Sequence, residues 1–259
     1  MTLIETIWIS ASVILAYYTI LFILSIVLKD NSIADIAWGP GFIIVALTLF
    51  LISGEYTLGQ ILVTTLIAVW GIRLGIRILV RNWGRGEDFR YQAWRKQWGK
   101  YFFIRSYLQV FLLQGFLLLL IISPVYIINT YGRGSFSWLE GVGITIWIVG
   151  FFFEMVGDYQ LDKFLKNPAT KGGILDSGLW KYTRHPNYFG EVVQWWGIFL
   201  LGLGLPYGWY GVVGPITITF LILKISGIPM LEKAMSQNPA FLPYKQKTSV
   251  FIPWFPKKS

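Results

Sequence analysis

The chain of 259 residues is 55% hydrophobic and 18% aromatic, has only 14% charged residues, and carries a net charge of +9. Soluble domains average about 25% charged residues, so the composition excludes an ordinary water-soluble protein and leaves an integral membrane one. With no cysteine and a single histidine, His185, the chain cannot build disulfides, thiolate catalysis or a histidine metal cluster.

A membrane crossing needs roughly 20 apolar residues, and the apolar runs predict seven crossings near 3–28, 37–53, 59–80, 107–128, 138–160, 188–205 and 209–226. The first is too long for a cleavable signal peptide, has no basic segment before it and no small-residue cleavage site after it. The second starts with WGPG, where Pro40 between glycines predicts a broken or tilted beginning. The third ends in Arg73, Arg77 and Arg81, one helical turn apart and so on one face.

A basic loop at 81–105 follows, with Arg85, Arg90, Arg95, Lys96, Lys100 and Arg105. The fifth span carries Glu154 and Asp158 near its end; the loop 161–186 then adds Lys163, Lys166, Lys171, Lys181 and Arg184. The sixth span starts with Asn187 and Glu191, with Gln194 a turn further on, and the C-terminal part brings Lys224, Lys233, Lys245, Lys247, Lys257 and Lys258. Lys and Arg are retained on the cytoplasmic side. Seven spans with the N-terminus outside put all of these on that side and leave only Arg133 of the 22 basic residues opposite. The expected fold is therefore an all-α, multi-pass membrane protein of one domain, with a cytoplasmic C-terminus and with loops 81–105 and 161–186 and tail 227–259 covering a cytosolic site.

The positive face attracts anionic membrane lipid; basic loops held at a membrane surface are a poor nucleic-acid site, and an anionic cofactor or substrate is the sharper reading. Ionisable groups at membrane depth are costly and face a bundle interior or polar cavity, which makes Glu154, Asp158, Asn187 and Glu191 a map of the candidate site. The plain alternative is that these carboxylates only neutralise the arginines of the third span. In KGGILDSGLWKYTRHPNYFGE, Pro186 fits a first helical turn, and the helix start offers free N–H groups beside Arg184, His185 and Asn187 to a phosphate. Trp180, Tyr182 and Tyr188 would otherwise be ordinary interfacial anchors.

RHPNYFGE, with NPAFLPYKQKTSVFIPWFPKK near the end, resembles the C-terminal half of the steroid 5α-reductase family. The RHPxYxG core also occurs in isoprenylcysteine carboxyl methyltransferases and phospholipid methyltransferases. NSIADIAWGPGF, RNWGRGEDFRYQAWR and GDYQLDKFLKNP favour the reductase side and its bacterial branch, over roughly residues 30 to 257. The resemblance implies a seven-span enzyme of a bacterial inner membrane that binds NADPH from the cytosol and reduces a carbon–carbon double bond conjugated to a ketone. It implies a cofactor-binding aspartate at Asp158, adenosine and nicotinamide contacts at Asn187 and Glu191, a basic contact at Arg85, and a tyrosine near the cytosolic mouth at Tyr244. Lys163, Lys166, Arg184 and Lys247 are expected at the phosphates from location and sign, since the 2′-phosphate gives such cations a partner.

The sequence also departs from that family. Its substrate-binding Gln–Glu pair is replaced by Ala37 and Trp38, and Trp70 stands where the family has a tyrosine. Asp35, one turn before Trp38, is the expected substitute acid, and Asp30 is the runner-up. Capping of its own helix is the plain role for Asp35. The expected substrate is an apolar, steroid-like enone reached from the bilayer; as the double bond is reduced, negative charge builds on the carbonyl oxygen and requires a hydrogen-bond donor there.

Two rival classes remain. An S-adenosylmethionine methyltransferase shares RHPNY, but that family's Glu–Glu pair reduces here to Glu232 in MLEKAM. A transporter or lipid-binding scaffold fits the intramembrane charges, but no inverted repeat is visible.

Overall fold

The computed structural model describes residues 1–257, so Lys258 of the basic tail lies outside the described residues. Among the described residues the chain is helical, with one isolated parallel bridge between Thr183 and Ser249. Five helical stretches are long and apolar enough to cross a membrane: Leu3–Leu28, Leu58–Asn82, Phe89–Ile121, Trp138–Lys166 and Gly208–Met235. The predicted spans at 37–53 and 188–205 are also helical, but one is only 16 residues long and the other carries Glu191 and Gln194 among its apolar residues.

The backbone divides into two compact units. The first comprises residues 1–137 and 201–214 and holds helices α1 (Leu3–Leu28), α2 (Ile33–Ile36), α3 (Trp38–Ser53), α4 (Leu58–Asn82), α5 (Phe89–Trp98), α6 (Phe102–Ser106), α7 (Leu113–Ile121) and α8 (Ser123–Tyr131). Helices α1 and α4 both start at capping boxes, Thr2 with Glu5 and Thr57 with Gln60, which satisfy helix-start N–H groups that have no intrahelical acceptor. The buried stripe of α1 runs Thr6, Ser10, Ile14, Tyr18, Leu21, Ser25, the spacing of one helical face.

The WGPG start is explained by packing. A Cβ on Gly39 would lie 2.4 Å from the Gly71 carbonyl oxygen, and one on Gly75 would lie 3.1 Å from Pro40, so α3 and α4 meet backbone to backbone. The chain breaks as expected between α2 and α3, at Ala37.

Two expectations are corrected here. The span placed at 107–128 ends at Ile121, and the chain restarts at Ser123, because Pro124 has no N–H to close onto the preceding turn. The loop placed at 81–105 is largely helix: Asp88 caps α5 by accepting the Arg90 N–H at 2.9 Å, and the helical path continues through a π-helical turn at Tyr107–Leu112.

The second unit comprises residues 138–200 and 215–257 of the described chain and holds α9 (Trp138–Lys166), most of α10 (Pro186–Leu203) and α11 (Val213–Phe220), then α12 (Ile228–Met235) and α13 (Phe241–Lys247). Gly143, Gly150 and Gly157 recur every seven residues on α9, and Gly190 and Gly197 do so on α10. A Cβ on Gly190 would be 2.4 Å from the Gly150 carbonyl oxygen and from the Glu154 nitrogen; one on Gly197 would be 2.7 Å from the Gly143 carbonyl oxygen. This seam fixes the height at which the polar residues of the two helices meet.

Candidate cofactor site and substrate cluster

In the second unit, the Asn187 amide donates to Asp158 Oδ1 at 3.1 Å, and the Gln194 amide donates to Glu154 Oε2 at 2.5 Å. Glu154, Asp158 and Gln194 are buried, and Glu191 is half-buried on α10. The amide oxygens of Asn187 and Gln194 are enclosed and accept nothing among the described residues. Buried polar atoms are nearly always satisfied, so these two acceptors suit a ligand that carries N–H or O–H groups. A carboxamide and ribose hydroxyls, as in a nicotinamide nucleotide, meet that requirement. Lys163 and Lys166 are exposed on the last turn of α9, where a helix C-terminus favours cations.

The residues at the start of α10 have a different task from the expected one. Arg184 is only 7% exposed, and its guanidinium donates to Glu232 Oε1 at 2.7 Å and to the carbonyls of Lys245 and Thr248. These contacts clamp the tail to the start of α10, a task that the expectation of a phosphate contact did not include. Lys245 Nζ lies 3.1 Å from the other oxygen of Glu232. Thr183 donates to the Phe251 carbonyl, the Arg184 N–H to that of Ser249 at 2.9 Å, and the Trp254 N–H to that of Tyr182 at 2.9 Å. The RHP loop and the tail thus form one strapped body.

Tyr244, expected near the cytosolic mouth, is buried and donates to the Trp180 carbonyl at 2.6 Å, while the Trp180 indole donates to the Gly157 carbonyl at 3.0 Å. Burial pushes the Tyr244 hydroxyl above its ordinary value, which keeps it a neutral donor. His185 is 1% exposed, stacks on Tyr188 at 5.8 Å, and faces Glu232 at 3.4 Å. Burial brings its pKa down to about 4 against the pull of Glu232, so it is neutral near pH 7. Tyr182 and Lys247 are exposed on the strap.

In the first unit Arg85 stands exposed in the turn after α4. Trp38 and Trp70 both pack edge-on against Phe42, at 5.3 Å each. Asp35 accepts from Arg90 Nη2 at 2.6 Å, from the Tyr91 hydroxyl at 2.7 Å and from the Gln114 amide at 3.4 Å. It makes no capping bond to α2. The expected capping role is therefore corrected: Asp35 instead gathers Arg90, Tyr91 and Gln114 as an organising acceptor.

The motifs NSIADIAW and RGEDFRYQAWR interlock around Asp35. The Asn31 N–H donates to Glu87 at 3.0 Å, the Asp88 N–H to Ser32 Oγ at 2.8 Å, and Arg95 pairs with Glu87 at 2.8 Å. The runner-up acid, Asp30, accepts the Ser32 N–H at 2.8 Å.

Sequence reasoning did not find Tyr18 or Gln114. The Tyr18 hydroxyl is fully buried, has no partner among the described residues, and lies within electrostatic reach of Asp35. Its ring packs 3.1 Å from the Cβ position of Gly115, beside Gln114, whose own side-chain oxygen is enclosed and unsatisfied. The signal for Tyr18 was the four-residue spacing of the buried face of α1.

Residues 21–248 match a family described as "Protein of unknown function (DUF1295)". An uncharacterized protein of Schizosaccharomyces pombe is 24% identical over 221 residues, covering 71% of this chain and 60% of the other. The 3-oxo-5-alpha-steroid 4-dehydrogenase 1 of Bos taurus is 32% identical over 86 residues, 32% of this chain and 33% of that one. Its counterpart in Rattus norvegicus is 29% identical over 114 residues, 43% of this chain and 40% of the other. The chain thus spans 60% of the length of the first of these relatives and 33% and 40% of the other two. No solved structure matches significantly.

Proposed function

The chain belongs to the DUF1295 family, which is steroid 5α-reductase-like, and from that premise we propose that it is a membrane oxidoreductase that uses NADPH to reduce a carbon–carbon double bond conjugated to a ketone. The substrate is an apolar, steroid-like enone drawn from the bilayer. The observation that carries the reading is the pair of buried, unsatisfied amide oxygens of Asn187 and Gln194, held beside Asp158 and Glu154 on the α9–α10 seam. Within the second unit, Asn187, Gln194, Asp158 and Glu154 would hold the nucleoside of the cofactor and Lys163 and Lys166 its phosphates, with Tyr182, Tyr188, Glu191 and Lys247 as further contacts. His185, neutral and enclosed, shapes the loop, and Arg184 and Tyr244 hold the strap in place.

NADPH, when bound, supplies a hydride. The residues of this chain bind, orient and stabilise charge. Tyr18, whose buried hydroxyl has no partner among the described residues, would donate a hydrogen bond to a substrate carbonyl oxygen, on which negative charge builds during reduction. Gln114 sits beside Tyr18, oriented by Asp35, and Asp35 is itself held by Arg90 and Tyr91. A proton taken up at the α-carbon completes the saturated ketone. This arrangement replaces the acid first expected at Asp35, and Trp38 and Trp70 become walls around Phe42. The cofactor site faces the cytoplasm in the seven-span orientation set by the basic residues.

The test is to incubate purified protein with NADPH and a Δ4-3-ketosteroid, followed by a panel of other enones, and to look for the saturated product. Turnover of any panel member with loss of NADPH absorbance supports the reading. Methyl transfer from S-adenosylmethionine with no NADPH consumption contradicts it, as does a protein that binds neither nucleotide.

A further inference from the structure

A cavity of about 270 Å³ lies in the first unit at the end of α1. Phe22, Ile26 and Phe103 form its apolar wall, and Lys29 and Arg95 border it with Ser25 and Asn31 at the polar end. Asn31 and Arg95 are shared with the network around Asp35, and the other lining residues lie outside the sites described above. The two cations are set by the fold. Lys29 has φ 55°, with its N–H closing onto the last turn of α1, so its side chain leaves a fixed helix end. Arg95 is oriented by Glu87 at 2.8 Å, by the Lys29 carbonyl at 3.4 Å and by the face of Phe102 at 4.0 Å. Ile26 and Phe103 are exposed, and so are Val27 and Ile104 beside them, so the wall continues onto the apolar outer surface of the unit.

We infer that this groove binds an anionic glycerophospholipid, its phosphodiester at Lys29 and Arg95 and an acyl chain along Phe22, Ile26 and Phe103. Charge and shape select this occupant. Lys29 and Arg95 against Glu87 leave one net positive charge, which a singly charged phosphodiester balances. A free anion would leave the apolar wall wet, and a zwitterionic lipid would bring its own cation against two others. The groove shares Arg95 with the ion-pair network around Asn31 and Glu87, so an occupied groove also steadies the segment that leads to Asp35.

Native mass spectrometry of the full-length protein in mild detergent tests this. Phosphatidylglycerol, phosphatidylcholine of the same chains and inorganic phosphate are added in turn. Phosphatidylglycerol should be retained over phosphatidylcholine, and inorganic phosphate should not displace it. K29A should lower its retention by roughly five-fold, the worth of one interfacial cation, with thermal stability in lipid-free detergent unchanged. I26W, which fills the groove from its exposed side, should lower it as well and serves if K29A cannot be purified. Equal retention of the two lipids, displacement by phosphate, or retention untouched by both variants would each overturn the proposal. None of these outcomes depends on NADPH or on turnover.

Discussion

Two glycine seams, α3 against α4 and α9 against α10, use the same device for different ends. In the first unit Gly39 and Gly71 let two backbones touch, and the side chains beside them are Phe42 and Trp70, so the seam closes an apolar core. In the second, Gly150 and Gly190 bring the helices equally close, and the side chains beside them are Glu154 and Gln194, with Asp158 and Asn187 a turn away. Close approach is thus neutral with respect to function. What the flanking positions carry decides whether a seam is packing or a binding row.

The largest effect that should separate the units is R184A. It leaves half-buried Glu232 with Lys245 as its remaining cation, and the cost of breaking a fully buried pair, about 3–5 kcal/mol, is the upper bound. Limited proteolysis should show the tail released from the RHP loop, while cleavage sites in the first unit stay protected. Y18F is next: the loss of one preorganised donor should lower kcat by about 10²–10³-fold, with NADPH affinity unchanged because the proposed cofactor row belongs to the second unit. An unchanged kcat would remove Tyr18 from the mechanism.

Acid should act on the second unit through His185. The folded pKa of about 4 lies below the ordinary 6.5, so between these values the unfolded chain binds a proton that the folded chain does not. Stability is complete above pH 6.5 and is lost as pH falls through the window, by up to about 3 kcal/mol. Burial lowers the pKa most; of the charges facing the ring, Glu232 opposes it and Arg184 reinforces it, and burial sets the sign. Thermal unfolding from pH 7 to 5 should show the slope, and H185Q should flatten it. The smallest effects are those of G39A and G190A, each costing about 1–3 kcal/mol by overpacking. G190A alone should also weaken NADPH binding, and equal effects of the two variants on cofactor affinity would erase the contrast between the seams.

Much of this was legible in the sequence. The presence of five long apolar helices was, because hydropathy over a whole span is a summed signal, although one runs Phe89–Ile121 rather than 107–128, and so was the grouping of Glu154, Asp158, Asn187 and Gln194, because helical spacing fixes a face. The glycine repeat at 143, 150, 157 and 190, 197 was present as well, but a glycine does not announce what it touches. The tasks of Arg184 and Asp35 could not be read in full. Their sign and position were known, but the partners that engage them come from 48 and 55 residues away in the chain. The strap was hidden for a related reason: it is made of backbone carbonyls, which no residue type reveals.

The measurement that tests the account most directly is the titration of purified protein with NADPH and, separately, with S-adenosylmethionine, read by thermal stabilisation in wild type and N187A. The account predicts saturable stabilisation by NADPH alone, weakened at least several-fold in N187A. Stabilisation by S-adenosylmethionine alone, or an NADPH response that N187A leaves untouched, would contradict it.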